Sequence, residues 1–376
     1  MTSLERLTAY AGARLEKLHA RGQHRTLKPT RRMDGARAER AGRAGRDLVS
    51  FCDNDYLSLS CDPRLVAASQ ETAARYGVGA GASRLITGDC PLNGQLEQTL
   101  AQMKGQEACL VFGSGYLANV GTIPALVGKG DTILMDALSH SCMHAGARLS
   151  GAEIRVFRHN DMDHAAELIA EAPGQVLVLT ETVFSMDGDL APLEELGALC
   201  EAHGAWLMTD DAHGLGIVEQ ANPALVQMGT LSKAAGAYGG YVCGPAPVID
   251  MLVSRARSLV YTTGLPPTVL ASALAALEVM QDEPERAARA RGNAVLFCEL
   301  MDLPSPDSVI VPVVIGEEAR ALAMSTALEE AGYLVTAIRP PTVPEGTSRL
   351  RITFAAGHSQ ADVRGLAAAL KEAYRG

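Results

Sequence analysis

Short apolar runs alternate with amphipathic stretches along most of the chain. Residues 109–112, 131–136 and 176–180 are apolar runs of strand length, and the last is typical of a strand covered on both faces. Residues 193–203 instead carry apolar side chains at helical spacing and are followed by Gly204, a common helix end. This alternation predicts an α/β fold with a mainly parallel sheet.

The two ends of the chain have different patterns. Apolar residues at helical spacing predict an N-terminal helix packed by one face: Leu4, Leu7, Ala11, Leu15 and Leu18. After residue 247, helix-like stretches flank a Tyr-Thr-Thr-Gly-Leu-Pro-Pro segment, and short strands then alternate with helices. We therefore divide the chain into an N-terminal helix and basic segment (1–48), a large domain (49–247) and a smaller C-terminal domain (248–376).

Composition and charge narrow the class of protein. The 376 residues are 47% hydrophobic and 20% charged, as in ordinary globular proteins, and a net charge of −10 argues against a nucleic-acid-binding protein. The longest apolar stretch, residues 269–280, is shorter than the ~20 residues that a membrane span needs. The eight cysteines include no Cys-x-x-Cys pair, which indicates reduced thiols. We expect a cytoplasmic protein with no membrane partner.

Basic residues are concentrated in residues 14–46, where they outnumber the acids. They include Lys17, Arg21, Arg25, Lys28, Arg31, Arg32, Arg37, Arg40 and Arg43. Such a segment can attract a polyanionic substrate such as a coenzyme A thioester. It is equally typical of a solvated helix and loop, and both interpretations stay open.

One lysine has an unusual setting. Lys233 lies between a short apolar run and a glycine-rich strand, with small residues on both sides. Lysine is depleted from protein interiors unless it is paired or reactive, and burial lowers its pKa. Lys233 is therefore a candidate for forming a Schiff base with an aldehyde. The alternative, which holds for most lone lysines, is a solvated loop residue.

A pair of carboxylates supports the reactive interpretation of Lys233. An apolar strand at residues 206–209 runs into Asp210, Asp211 and His213, and parallel α/β sheets build their sites at such strand ends. A lysine together with a carboxylate that keeps a pyridine nitrogen protonated is the pair that pyridoxal phosphate requires. We assign the ring nitrogen to Asp210, the phenolic oxygen to His213 and proton abstraction to Lys233.

Two further features are suited to binding anions. Residues 113–116, Gly-Ser-Gly-Tyr, lie between a predicted strand and a predicted helix, so backbone N–H groups converge at a helix N-terminus, where phosphate binds readily. Arg349 and Arg351 alternate on one strand and therefore share a face. A planar guanidinium suits a substrate carboxylate. We choose Arg351 for this role and expect at most a surface ion pair from Arg349.

The Asp-Asp-Ala-His-Gly segment at 210–214 and the Gly-Thr-Leu-Ser-Lys segment at 229–233 resemble those of a known family. From about residue 50 onward the chain resembles the α-oxoamine synthases, which are fold-type I pyridoxal phosphate enzymes. The resemblance implies a large, mainly parallel seven-stranded sheet domain and a smaller α+β C-terminal domain. It also implies pyridoxal 5′-phosphate as cofactor and a homodimer.

The resemblance assigns roles to further residues. It implies that Gly115 and Tyr116 offer backbone N–H groups to the cofactor phosphate and that His140 stacks on the pyridine ring as a catalytic residue. Asn54 would face the amino acid substrate together with Arg351. The remaining cofactor-binding residues would be Ser185, Thr230 and, from the neighbouring subunit, Thr262 and Thr263.

Some features of the chain leave alternatives open. His140 and His144 are four residues apart and could share a metal, but no third ligand is evident, and we predict no metal site. Asn93 stands where the family often has a histidine. An aminotransferase would share the fold and cofactor but release no thiol. A non-catalytic subunit on the same fold would be expected to lack Lys233.

The substrates follow from the resemblance alone. The two segments around Asp210 and Lys233 favour L-alanine and a pimeloyl thioester of coenzyme A or a carrier protein, joined by a decarboxylative condensation in biotin biosynthesis. Relatives that use glycine tend to carry Asp-Glu-Val-His or Asp-Asp-Ser-His instead. No residue demands a seven-carbon diacid, so glycine or serine with acetyl, succinyl or long-chain acyl thioesters stays open.

Overall fold

The computed structural model describes residues 1–20, 22–40 and 47–375. The strands are β1 (Thr30–Arg32), β2 (Arg37–Arg40), β3 (Leu48–Ser50), β4 (Ala108–Phe112), β5 (Thr132–Asp136), β6 (Glu153–Phe157), β7 (Val176–Glu181), β8 (Trp206–Asp210), β9 (Val226–Thr230), β10 (Gly240–Gly244), β11 (Ile310–Gly316), β12 (Tyr333–Leu334), β13 (Thr336–Ile338) and β14 (Ser348–Thr353). The helices are α1 (Ser3–Ala20), α2 (Pro63–Tyr76), α3 (Pro91–Lys104), α4 (Gly115–Leu126), α5 (Ser141–Ser150), α6 (Met162–Ala170), α7 (Leu193–His203), α8 (Ala246–Arg255), α9 (Arg257–Val260), α10 (Pro267–Asp282), α11 (Glu285–Met301), α12 (Glu318–Glu330) and α13 (Gln360–Arg375). One π-helical turn, Arg84–Gly88, precedes α3.

A seven-stranded sheet forms the centre of the molecule. Its strand order is β4-β10-β9-β8-β7-β5-β6, and β10 runs in the direction opposite to the other six strands. The expected mainly parallel, seven-stranded sheet is therefore confirmed.

Alternate side chains of the central strands enter two separate clusters. Ile133 of β5 and Leu177 of β7 pack with α4, α5 and α8, whereas Leu134 and Val178 pack with α6 and α7 on the other face. Successive residues of a strand point to opposite faces, so a strand covered on both sides must be apolar throughout. This explains the continuous apolar run of β7.

The C-terminal part has its own sheets. Strands β11, β14 and β13 form an antiparallel sheet, and β12 pairs in parallel with β3, which is joined to β2 and β1. A smaller α+β part is thus present as expected. The sheet with β12 ties β1, β2 and β3 to this part, and the proposed domain boundaries remain a prediction.

The N-terminal helix is not packed within this chain. No residue of α1 is buried, and Leu4 and Leu7 are 73% and 65% exposed. The expectation of a helix packed by its apolar face is wrong for the single chain, because helical spacing specifies an apolar face but not the surface that covers it.

Ion pairs account for part of the basic segment. Arg32 lies 2.9 Å from Asp53, and Arg37 and Arg40 lie 2.9 Å from Asp362 and Glu329 respectively. These arginines attach the segment to the body of the protein. Three more of the basic residues, Arg21, Arg43 and Arg46, lie outside the described residues.

The described part of the chain contains no helix that is both long enough and apolar enough to cross a bilayer. All eight cysteines are free thiols.

Candidate active site

The carboxyl ends of β7, β8 and β9 meet at one edge of the large sheet. β7 ends at Glu181 and β8 at Asp210, and these residues are direct partners across the two parallel strands. β9 ends at Thr230, three residues before Lys233. The sheet topology therefore places Asp210 and the loop that carries Lys233 on neighbouring strand ends, where parallel sheets bind ligands.

The loop that carries Lys233 is held closed by its own backbone. Leu231 N donates to Gly239 O at 3.0 Å, and Ala237 N donates to Leu231 O at 2.9 Å. Gly236 has a φ of +62°, and a Cβ there would lie 2.4 Å from the backbone nitrogen of Ser60. Only glycine suits this turn, because it combines a left-handed conformation with a close backbone approach.

The environment of Lys233 disfavours its charged form. The side chain is half-buried, and burial lowers the pKa of its ammonium group, while the carboxylates of Asp210 and Glu181 oppose this shift. A lower pKa makes the neutral amine easier to form. The neutral amine is the form that attacks an aldehyde or accepts a proton.

The two neighbouring acids have different partners. Asp210 is 4% exposed and accepts hydrogen bonds from Asn119 Nδ2 at 2.8 Å and Ala212 N at 3.0 Å. Burial raises the pKa of Asp210, and the bond from Asn119 opposes this. Asp211 instead pairs with Lys104 Nζ at 2.7 Å. Within the described part of the chain, the hydrogen-bond donors to Asp210 are therefore neutral groups.

His140 presents a ring with a defined proton. It caps α5: its Nδ1 accepts the backbone N–H of Cys142 at 3.3 Å and lies 2.8 Å from the Cys142 thiol. A backbone N–H can only donate, so Nδ1 carries no proton and the neutral ring has its proton on Nε2. His140 is exposed, yet desolvation by the surrounding protein lowers its pKa. A flat, neutral ring is thus available for stacking.

His213 belongs to a hydrogen-bonded group that also contains the proposed substrate-binding residues. Its Nδ1 lies 2.6 Å from Tyr56 Oη, which is 3.1 Å from Asn54 Oδ1. Arg351 donates to Asn54 Oδ1 at 3.2 Å and to Tyr56 Oη at 3.4 Å. Burial, reinforced by the positive charge of Lys233, holds the pKa of His213 well below its usual value, so the ring is neutral.

The two arginines of β14 differ in their partners. Arg351 is 6% exposed, and its Nε donates to the backbone oxygen of Ser185. Its recorded partners are neutral oxygens, whereas Arg349 forms an ion pair with Asp187. Arg349 is itself 6% exposed, so the expected surface position of this ion pair is wrong. A buried guanidinium without a carboxylate partner is suited to bind one from a ligand.

The start of α4 forms the predicted anion cradle. Ser114 caps the helix and accepts from Leu117 N at 3.2 Å, and Gly115 and Tyr116 begin the first turn. First-turn N–H groups have no acceptor within the helix and lie at its positive end. Thr230 packs against this turn, since a Cβ on Gly115 would lie 3.4 Å from its Cβ.

The threonines of the 261–267 segment lie next to the chain that precedes α3. Thr263 forms a β-bridge with Ser83, and Gly264 N donates to Ala82 O at 2.9 Å. These contacts attach the segment to the glycine-rich stretch before α3. The structure contains one chain, and the assignment of Thr262 and Thr263 to the neighbouring subunit's phosphate stays a prediction.

Two residues with open roles are also placed. Asn93 is 1% exposed in α3, and its Nδ2 is 3.9 Å from the Cys90 sulfur. His144 lies one turn after His140, and desolvation lowers its pKa. Within residues 1–20, 22–40 and 47–375, no group of three or more His, Cys, Asp or Glu side chains could hold a metal ion.

The sequence analysis missed four residues of the site. Tyr56 lies two residues after Asn54, and Cys142 lies two residues after His140. Asn119 is a fully buried amide in an otherwise apolar helix, which signals a required partner. Glu181 directly follows an apolar run, the same signal that identified Asp210.

These residues fit the chemical groups of pyridoxal phosphate. Asp210 is a buried carboxylate without a recorded ion pair and can neutralise a protonated ring nitrogen. Lys233 can bind the aldehyde, His140 offers a flat ring and the start of α4 can hold the phosphate. Together with the mainly parallel seven-stranded sheet, this arrangement defines a fold-type I pyridoxal phosphate enzyme.

Comparisons with known proteins identify the family. The model of the aminotransferase class I and II family matches residues 46–370, and the chain belongs to this family. The chain is 56% identical over 370 residues to the 8-amino-7-oxononanoate synthase of Methylobacterium radiotolerans, covering 98% of each chain. Its structure resembles a serine palmitoyltransferase from S. paucimobilis with bound PLP, with a TM-score of 0.91, 28% identity and coverage of 100% and 99% of the two chains. The resemblance to the α-oxoamine synthases is confirmed.

A more distant solved structure shares the fold. The 8-amino-7-oxononanoate synthase from Francisella tularensis is 24% identical, with a TM-score of 0.76 and coverage of 87% of this chain and 98% of that one.

Proposed function

We propose that this protein is an acyltransferase that condenses L-alanine with a pimeloyl thioester to form 8-amino-7-oxononanoate. Carbon dioxide and the free thiol of coenzyme A or a carrier protein would be released, and the product would serve biotin biosynthesis. The near full-length similarity to relatives of that name supports the substrates. The observation that carries the reaction class is the convergence of Lys233 and Asp210 with the unpaired guanidinium of Arg351.

The cofactor is pyridoxal 5′-phosphate, which when bound supplies an electron sink for the negative charge that forms at the amino acid Cα. Asp210 would keep the ring nitrogen protonated, and His213 would donate a hydrogen bond to the phenolic oxygen. Gly115, Tyr116 and Thr230 would hold the phosphate at the start of α4. Ser185 and His140 would bind the ring, His140 by stacking.

The substrate is oriented by its carboxylate and deprotonated by Lys233. Arg351 and Asn54 already share a hydrogen bond, so both can turn polar atoms toward one carboxylate. Lys233 accepts the Cα proton as a neutral amine, which the lowered pKa of its ammonium group makes accessible. Nε2–H of His140 is free to donate to the substrate carboxylate or the thioester oxygen.

A substrate panel tests this function. Alanine, glycine, serine and 2-aminobutyrate would each be combined with pimeloyl-, acetyl-, succinyl- and palmitoyl-CoA while free thiol is followed. We expect alanine with pimeloyl-CoA to be fastest, and the Lys233→Ala variant to release no thiol. The margin over glycine should be modest, since one methyl group is worth about 1 to 3 kcal/mol in a pocket. A faster reaction of glycine with acetyl- or succinyl-CoA, or of serine with palmitoyl-CoA, would disprove the assignment.

We also propose a homodimer with shared active sites. Helix α1 has no buried residue, and Ile86 and Tyr261 are 75% and 74% exposed. Exposed apolar side chains of this kind are typical of a surface that a partner covers. Thr262 and Thr263 of one subunit would then contact the phosphate of the other. The cytoplasmic location also stays a prediction, supported by eight free thiols.

Subunit mixing tests the shared site. Lys233→Ala protein mixed with a Thr262→Ala/Thr263→Ala variant should regain part of the activity, because the mixed dimer contains one complete site. The control mixture of Lys233→Ala with His213→Asn should regain none, because both residues belong to the same subunit's site. Equal inactivity of the two mixtures would contradict sharing.

A further inference from the structure

The side chain of Tyr56 contacts His213 and also Asn54 and Arg351, the two residues proposed to bind the substrate carboxylate. Tyr56 is fully buried, and its Oη lies 2.6 Å from His213 Nδ1, 3.1 Å from Asn54 Oδ1 and 3.4 Å from Arg351 Nη2. The sequence separation between Tyr56 and His213 is 157 residues, so this contact exists only in the folded chain.

The donors and acceptors of this group determine where the phenol proton lies. Arg351 can only donate, so Tyr56 Oη accepts from it and keeps its own proton for one of two acceptors. Asn54 Oδ1 is the more distant acceptor and already receives Arg351 Nη1 at 3.2 Å. His213 Nδ1 is nearer by half an ångström and belongs to a neutral ring.

We propose that Tyr56 is a positioning residue that donates its phenol proton to His213 Nδ1 and so fixes the proton of the ring on Nε2. The inference rests on the role proposed for His213: its Nε2 can donate to the cofactor's phenolic oxygen only in this tautomer. If Nδ1–H donated to Tyr56 instead, Nε2 would carry no proton. It could then not donate to the phenolic oxygen, which is itself an acceptor. The phenol also holds the plane of the imidazole ring through the 2.6 Å contact.

The tautomer can be measured without the cofactor. In cofactor-free protein labelled with ¹⁵N-histidine, long-range ¹H–¹⁵N correlations should show His213 with a pyridine-type Nδ1 and a pyrrole-type Nε2, the signals being assigned by their loss in His213→Asn. Tyr56→Phe should give a mixture of tautomers. The matched control is Tyr241→Phe, since Tyr241 is also fully buried and its hydroxyl has no hydrogen-bond partner among the described residues; its spectrum should match the wild type.

A pyrrole-type Nδ1 in the wild-type protein would overturn the proposal, even if Tyr56→Phe could not be folded. An unchanged His213 spectrum in folded Tyr56→Phe would do the same. Neither result depends on the substrates, so the proposal and the proposed function can fail separately.

Kinetics of the loaded enzyme show whether Tyr56 acts through His213. We expect Tyr56→Phe to lower kcat about tenfold, the effect of losing roughly one hydrogen bond to a catalytic group. In a His213→Asn background the same change should have little further effect, because the group through which Tyr56 acts is gone. Effects that multiply in the double variant would show that Tyr56 acts independently.

Discussion

The buried charges at the edge of the sheet differ from those immediately around them. Asp210 and Arg351 face the site, and their recorded hydrogen-bond partners are neutral groups. One residue from Asp210, Asp211 pairs with Lys104, and two residues from Arg351, Arg349 pairs with Asp187. The same residue types at almost the same depth thus form direct ion pairs in one region, whereas in the other their hydrogen-bond partners among the described residues are neutral groups.

This difference indicates which charges belong to ligands. A buried charge without a counter-ion is unfavourable for folding, and a protein keeps one where a ligand supplies the opposite charge. In the proposed function, Asp210 would neutralise a protonated ring nitrogen and Arg351 would bind a substrate carboxylate. The ion pairs Asp211–Lys104 and Arg349–Asp187 fix the end of β8, which carries Asp210, and β14, which carries Arg351. Substitutions in the two regions should therefore have different consequences, on activity in one and on stability in the other.

The largest effect is expected for Asp210→Asn. A charge contact at 4 Å is worth roughly 4 kcal/mol at an effective dielectric of 20, which corresponds to about a thousandfold loss of kcat. The melting temperature of the cofactor-free protein should not fall, because the variant removes a buried charge without a recorded ion pair. Steady-state thiol release and thermal unfolding of the same preparations measure both quantities.

The neighbouring substitution Asp211→Asn is the matched control. It leaves Lys104 without its partner, and breaking a buried ion pair destabilises a protein by about 3 kcal/mol. The variant should unfold at a lower temperature but keep most of its kcat at 20 °C or below. The comparison fails if Asp211→Asn, while folded, loses more activity than Asp210→Asn.

Arg351→Met is expected to have the next largest effect. Loss of a charged hydrogen bond to the substrate carboxylate is worth about 2 kcal/mol, so the KM for alanine should rise about thirtyfold. The KM for pimeloyl-CoA should change much less. Arg349→Met, which breaks the ion pair with Asp187, should instead lower the melting temperature with little change in the KM for alanine. The opposite distribution would mean that Arg349 binds the substrate.

The strands and the site residues next to them could be predicted from the sequence, because both depend on residues that are close together along the chain. Apolar runs identified the strands because a strand covered on both faces has no polar positions, and Asp210 and Lys233 follow directly from the strand ends. Tyr56 and Asn119 could not be assigned because their partners lie 157 and 91 residues away and meet them only through tertiary packing. The exposure of α1 could not be predicted either, because helical spacing specifies an apolar face but not the surface that covers it.

The smallest effect is expected from a third set of paired charges. His159 Nδ1 lies 2.9 Å from Asp136, and its Nε2 lies 2.7 Å from Asp189, so the histidine joins β5 to the loop after β7. Burial lowers the pKa of His159, but the hydrogen bonds to both carboxylates more than offset this and raise it to about 10. Because the side chain is 27% exposed, water screens these ion pairs, and we expect the charged group to contribute less stability than the buried pair of Asp211 and Lys104.

The pH dependence of stability tests this contribution. The folded pKa lies above the unfolded value of about 6.5, so the stabilisation is complete below pH 6.5 and is lost as the pH rises toward 10. The difference in unfolding free energy between wild type and His159→Gln should therefore be largest at pH 6 and close to zero at pH 10. His144→Gln is the control, since the pKa of His144 is lowered and its variant should show no such loss with rising pH. A difference for His159→Gln that stays constant from pH 6 to pH 10 would mean that the histidine packs between the two aspartates as a neutral ring.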